Sequence, residues 1–190
     1  PGMSVVCPGD AWEVRGAIRA ALSHPGPVYV RIGKKGEPVV HAAMPDFRLG
    51  RGIVLAEGRD VCLLATGVLL PEAVEAGRRL EAAGVSTQVV SLHTVKPLDL
   101  ELLRGAFDRF PLVVTIEEHS RDGGLGGSVA EVLADGGPSR CRLLRIGSPD
   151  EFYHLTGEQE HVREHYGLDA AGIERKVLAA LSAHRALADG

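Results

Sequence analysis

Three groups of residues in this 190-residue chain have types and spacings that could do chemistry. Glu117, Glu118 and His119 stand side by side directly after an apolar run. Two carboxylates beside an imidazole can work as an acid–base pair, because the neighbouring charge favours protonated histidine. The simpler reading is that they hydrogen-bond to the glycine-rich loop behind them or meet another subunit. Gly123, Gly124, Gly126 and Gly127 lead into a helical pattern, where free backbone N–H groups and the helix dipole can cradle a phosphate. Gly124 and Gly126 fit the start of the dinucleotide fingerprint, but Val129 stands where its third glycine belongs. Close packing of the helix on a sheet is the simpler role for them. The third group is cationic. Lys34 and Lys35 follow a strand-like run, and His93 and Lys96 flank a turn; each could meet an anion. Solvated lysines, and a helix entry marked by Pro97 and Asp99, are the competing readings.

Other chemistries are poorly served. Cys7, Cys62 and Cys141 lie far apart and form no metal-spaced pair, which reads as buried free thiols in a reducing compartment. His161 and His165 share a helical face, but a pair alone makes a weak metal site. No serine sits in a nucleophile elbow. A net charge of -4, with acidic and basic residues interleaved, argues against nucleic acid and anionic membrane as partners. No run of about 18 apolar residues could span a bilayer. With no signal-peptide pattern, a cytoplasmic location is expected.

The elements that must position these residues follow from periodicity. A short strand at Val5 to Cys7, a helix capped by Asp10 with Trp12, Ile18, Ala21 and Leu22 as apolar positions, and a strand at Val28 to Ile32 make a parallel strand–helix–strand unit. Residues 33–47 lack a period and carry glycine and proline, as a linker does. Residues 48–57 have room for a short strand. Strands then alternate with helices: Val61 to Ala65, a helix opened by Pro71 and closed by Gly84, Val85 to Leu92, a helix capped by Asp99, and Leu112 to Ile116. A helix from Ser128, a strand at Arg142 to Ile146, and helices over 158–166 and 169–184 complete the pattern. This order predicts a three-layer α/β/α domain with a mostly parallel sheet, whose ligands sit at the carboxyl ends of the strands.

The motifs, taken together, resemble the carboxyl-terminal part of transketolase-type enzymes. Pro8-Gly9-Asp10 and Gly26-Pro27-Val28-Tyr29-Val30-Arg31 resemble the end of their pyrimidine-binding domain. Ala65-Thr66-Gly67, Thr94 to Asp99, Glu117-Glu118-His119 through Gly126, and Tyr166-Gly167-Leu168 resemble their C-terminal domain. The resemblance implies three segments: 1–32, the end of a pyrimidine-binding domain; 33–47, a linker; and 48–190, a transketolase C-terminal-like domain. It implies an enzyme that uses thiamine diphosphate and Mg2+ to transfer two-carbon ketol units between sugar phosphates. The Gly-Asp-Gly motif and the glutamate that faces the cofactor ring are not among these residues, so the chain is expected to be inactive alone and to bind no cofactor by itself. Its partners would be a missing amino-terminal half or a separate amino-terminal subunit, in a homodimer or heterotetramer. Lys34 stands closest to where the resemblance places a basic group for the substrate phosphate. His93, Lys96, Glu118, His119, Gly124 and Gly126 are left as interface or anion-loop positions. Competing functions are a 1-deoxyxylulose-5-phosphate synthase-like enzyme, a 2-oxo acid dehydrogenase beta-subunit-like protein, and a noncatalytic assembly module.

Overall fold

Strand β1 (Ser4–Val6), helix α1 (Ala11–Ser23) and strand β2 (Val28–Val30) open the computed structural model, which describes residues 1–34 and 36–188. The two strands pair in parallel, Val5 opposite Tyr29, as a crossover helix requires. Asp10 caps α1 by accepting the Glu13 N–H at 2.9 Å. The apolar face expected on this helix is not all buried. Glu13, Gly16 and Ala17 face inward, whereas Ile18 and Leu22 are 48% and 84% exposed. Two short strands offer too little sheet to cover a full helical face.

Past residue 47 come β3 (Ile53–Ala56), β4 (Val61–Ala65), α2 (Leu70–Ala82), β5 (Thr87–Ser91), β6 (Thr94–Lys96), α3 (Leu100–Arg109), β7 (Leu112–Ser120), α4 (Leu125–Asp135), β8 (Arg142–Ser148), α5 (Gln159–Tyr166) and α6 (Ala170–Ala188). Five of the strands form a sheet in the order β3-β5-β4-β7-β8, parallel except for the antiparallel edge strand β3. Alternate residues of the central strands separate onto its two faces. Leu63, Ala65, Val114 and Ile116 pack with Leu70, Ala73 and Leu80 of α2 and Ile173 and Val177 of α6. Cys62, Leu64, Val90 and Val113 pack with Leu103 of α3 and Val129 of α4. Each fully buried leucine contributes about 2 kcal/mol of transfer free energy, so these two clusters dominate the stability of the fold. The three-layer α/β/α arrangement expected from the sequence is therefore present.

Three local expectations are corrected. Thr94 to Lys96 is a strand and not only a turn: β6 runs antiparallel to β1, giving a second sheet of order β2-β1-β6. The opening strand–helix–strand unit is thereby hydrogen-bonded to the chain that follows the larger sheet's strand β5. β7 continues through Ser120, because β8 pairs with it as far as Ser148, so Glu117, Glu118 and His119 lie on a strand instead of in a loop. Helix α4 begins at Leu125, three residues before the expected start.

Residues 36–47 form no regular element, but they are held at Val40, His41 and Phe47. A Cβ on Gly16 would stand 2.6 Å from Phe47 Cβ and 2.5 Å from its Cγ, so α1 and residue 47 approach as only glycine allows. Alanine is favoured over glycine inside a helix by about 1 kcal/mol. The clash at Phe47 involves an atom next to the backbone, which cannot swing away. Gly16→Ala is therefore expected to lower the thermal midpoint; an unchanged or raised midpoint would mean that residue 47 yields freely.

Candidate functional site

The carboxyl ends of both sheets converge on one cleft of about 180 Å³. Cys7 follows β1, Arg31 follows β2, Thr66 follows β4 and Glu118 lies near the end of β7; Lys34 and Gln159 close the sides. Arg31 donates from Nη1 to the Glu118 carbonyl oxygen at 3.1 Å. The Glu118 carboxylate is held by the forked guanidinium of Arg163 at 3.2 and 3.1 Å, and by Gln159 Nε2 at 2.7 and 2.9 Å. Its charge is thus answered from α5. Arg31 and Lys34 form no ion pair among the described residues and remain as the cleft's free positive charge. Burial pushes the Cys7 thiol up despite the nearby Arg31 guanidinium, which makes it a poor nucleophile. Lys35, considered with Lys34 as an anion contact, lies outside the described residues.

The glycine-rich loop is already occupied by a carboxylate of the chain itself. Glu117, 2% exposed, accepts the Leu125 N–H at 2.7 Å and the Gly126 N–H at 2.8 Å. These are donors that a bound phosphate would have used. Gly124 lies against the Glu117 carboxylate, and a Cβ on Gly126 would stand 2.8 Å from Thr115 Oγ1, so both glycines serve close packing around this anion. Burial raises the Glu117 carboxyl above its ordinary range, against the opposing pull of the two N–H groups, His119 and Arg145. His119 is half exposed, 3.9 Å from Glu117 Oε2, and its Nδ1 is 2.8 Å from the Ser120 carbonyl oxygen. The three residues belong to three separate hydrogen-bond systems, and only Glu117 and His119 approach each other, at 3.9 Å.

His93 is not at the surface. It is fully buried, its ring is stacked on Phe47 at 3.9 Å, and its Nδ1 lies 2.9 Å from Thr94 Oγ1. Desolvation pushes it down to about 4, so it is a neutral core group with no path to a solvent anion. Lys96 is exposed at the end of β6, away from the residues that line the cleft. Beneath Phe47 sits a buried polar cluster around Asp10, Glu13 and His41. Asp10 Oδ2 accepts the N–H groups of Val40 and His41, each at 2.9 Å. Glu13 accepts the Gly9 N–H at 2.6 Å and faces His41 Nε2 at 2.9 Å.

Sequence reasoning missed this cluster and the roles of Arg31, Gln159 and Arg163. The Asp10-x-x-Glu13 spacing, a capping-box signature, was the available signal for two of its members. Nothing local marks Arg163 as the partner of Glu118, which lies 45 positions away.

Known proteins give this arrangement a context. Residues 50–173 match the family model described as transketolase, C-terminal domain. The chain is 37% identical over 179 residues to one of the subunits of the apulose-4-phosphate transketolase of Phocaeicola vulgatus, covering 94% of this chain and 56% of that protein. It is 38% identical over 186 residues to 1-deoxy-D-xylulose-5-phosphate synthase 1 of Geobacter sulfurreducens, covering 96% of this chain and 29% of that enzyme. Among solved structures, a split-gene transketolase in an inactive β4 tetramer superposes with a TM-score of 0.88 at 40% identity, over 96% of this chain and 59% of the other. The chain thus spans little more than half of its split-type relatives and under a third of the synthase.

Several groups that could have held a metal or a diphosphate are already engaged within the chain. Asp10 is spent on three backbone N–H groups, Glu13 on Gly9 and His41, and the α4 amino terminus on Glu117. Among the described residues no group of three or more His, Cys, Asp or Glu side chains is arranged to bind a metal ion.

Removing the internal anion tests its role. Glu117→Ala would leave two buried donors at the start of α4 unsatisfied, at a cost of about 2–4 kcal/mol in urea unfolding. Glu117→Gln should fall between, since an amide can accept from only one of the two. A loss below about 0.5 kcal/mol for the alanine variant would show that the carboxylate does not hold the loop.

Proposed function

Because the chain belongs to the transketolase C-terminal domain family, whose complete enzymes work with thiamine diphosphate, we propose that it is the carboxyl-terminal part of a two-carbon ketol transferase for sugar phosphates, completed by an amino-terminal partner. The observation that carries this reading is the superposition of nearly the whole chain on a split-gene transketolase. Mg2+ would accompany the cofactor, and both would be held by the partner and by upstream residues. Residues 1–32 would then be the end of a pyrimidine-binding domain. The exposed Ile18 and Leu22 of α1 and the open outer edge of β2 support this, since further sheet and helix would cover them. Residues 33–47 would be the linker and 48–190 the C-terminal domain.

In this reading the chain contributes a rigid scaffold, subunit contacts in a homodimer or heterotetramer, and one cationic cleft. Lys34 would meet the substrate phosphate there, beside Arg31, since both are free of carboxylate partners. Glu118, His119 and Lys96 would stand at contacts with the partner. The setting would be cytoplasmic carbohydrate metabolism. No described helix is long and apolar enough to cross a membrane, and the net charge of -4 does not favour nucleic acid.

A second reading, 1-deoxyxylulose-5-phosphate synthase-like activity, is favoured by an equal level of identity to that enzyme over 186 residues. An assay of the chain with its amino-terminal partner separates the two. Ketol transfer between sugar phosphates supports the first reading, and preferential condensation of pyruvate with a triose phosphate supports the second. In the assembled enzyme Lys34→Ala should raise KM for the phosphorylated sugar about tenfold with kcat little changed, as expected for loss of one solvent-exposed charged contact. An unchanged KM would remove Lys34 from the site.

A further inference from the structure

The buried cluster at Asp10, Glu13 and His41 has no part in the cleft, and its layout is that of a fastening. We propose that residues 37–47 are held to helix α1 by a proton-dependent clasp, with Glu13 as its fixed part and His41 as its titrating part. The geometry supplies the parts. Glu13 is fully buried and anchored to the Gly9 N–H, so its carboxylate has one place to point. His41 Nε2 meets it at 2.9 Å. Beside this contact Asp10 receives the Val40 and His41 N–H groups, and these two amides leave it when the segment lifts. Beyond it, Phe47 is wedged between Gly16 of α1 and His93, the residue before β6. The segment therefore joins the opening strand–helix–strand unit to the start of β6 through three polar contacts and one aromatic one.

The groups facing His41 set the sign of its response. Burial disfavours its charged form, but the hydrogen bond and charge of Glu13 and the charge of Asp10 outweigh that and leave its pKa raised. His93 faces Glu13 and His41, along with Asp99, and burial keeps it neutral with a pKa of about 4. A raised value in the folded state means that the clasp is at full strength below the ordinary histidine pKa of about 6.5. It weakens as pH rises through the folded value. A neutral imidazole still donates from Nε2, so the segment loosens but does not detach. Exchanging a charge-assisted hydrogen bond for a neutral one is worth about fivefold in an opening equilibrium.

Hydrogen exchange of the full chain reads this directly and does not depend on what the cleft binds. After correction for intrinsic rates, protection of the Val40 and His41 amides should fall about fivefold between pH 6 and pH 9, while β4 amides stay unchanged. His41→Gln keeps a donor without the titration and should show a flat profile. Protection of the two amides that is independent of pH in the natural chain, or an equal fall in His41→Gln, would overturn the proposal. If that variant does not fold, the His41 ring titration followed by NMR in the natural chain takes its place. A midpoint that coincides with amide opening supports the clasp, and one that does not coincide overturns it.

Discussion

Backbone N–H groups that neither helix nor sheet can satisfy are satisfied in this protein by carboxylates. Asp10, Asp99 and Glu117 each accept from the start of a helix, at Glu13, Leu102 and Leu125. The same Asp10 and Asp99 reach out to fix the incoming segment at Val40, His41 and Gly52. Asp60, Glu81 and Glu72 do so at Ser86, Thr87 and Ala170. Loops that cross between layers must bury polar backbone, and an unmet donor costs about 1–3 kcal/mol. These contacts from acidic side chains therefore decide where the connections between the layers run.

That constraint also decides what the chain can do. Carboxylates committed to backbone donors have fewer lone pairs left for acid–base work or metal binding. Glu117 shows this most clearly: it occupies the helix amino terminus that would otherwise suit a phosphate. The exception is the cleft between the sheets, where the lining carboxylate of Glu118 is paired with Arg163, and Arg31 and Lys34 form no ion pair among the described residues. In the proposed function, this cationic cleft would orient a phosphorylated substrate for chemistry performed on a partner's cofactor.

The larger sheet was legible because its signals are local and redundant. Val61 to Ala65 is an unbroken apolar run, Asp99 stands at a helix start, and Gly84 adopts the left-handed backbone that ends α2. What escaped is non-local. β6 is three residues long and owes its strand to β1, about ninety positions earlier. The end of β7 is set by β8, and the neutral state of His93 comes with Phe47 stacking over it. Ile18 and Leu22 read as core by period, yet nothing among the described residues covers them. For the cleft, the lysine pair and the family resemblance marked Lys34, but only folding brings Thr66, Glu118 and Gln159 beside it.

The proposed function requires that this chain gain a cofactor site only by assembly with its partner. Calorimetric titration of thiamine diphosphate, with Mg2+ present, into the chain alone and into the chain mixed with its amino-terminal partner tests it most directly. The account predicts no binding heat from the chain alone and saturable binding from the mixture. Tight, saturable binding by the chain alone would contradict it.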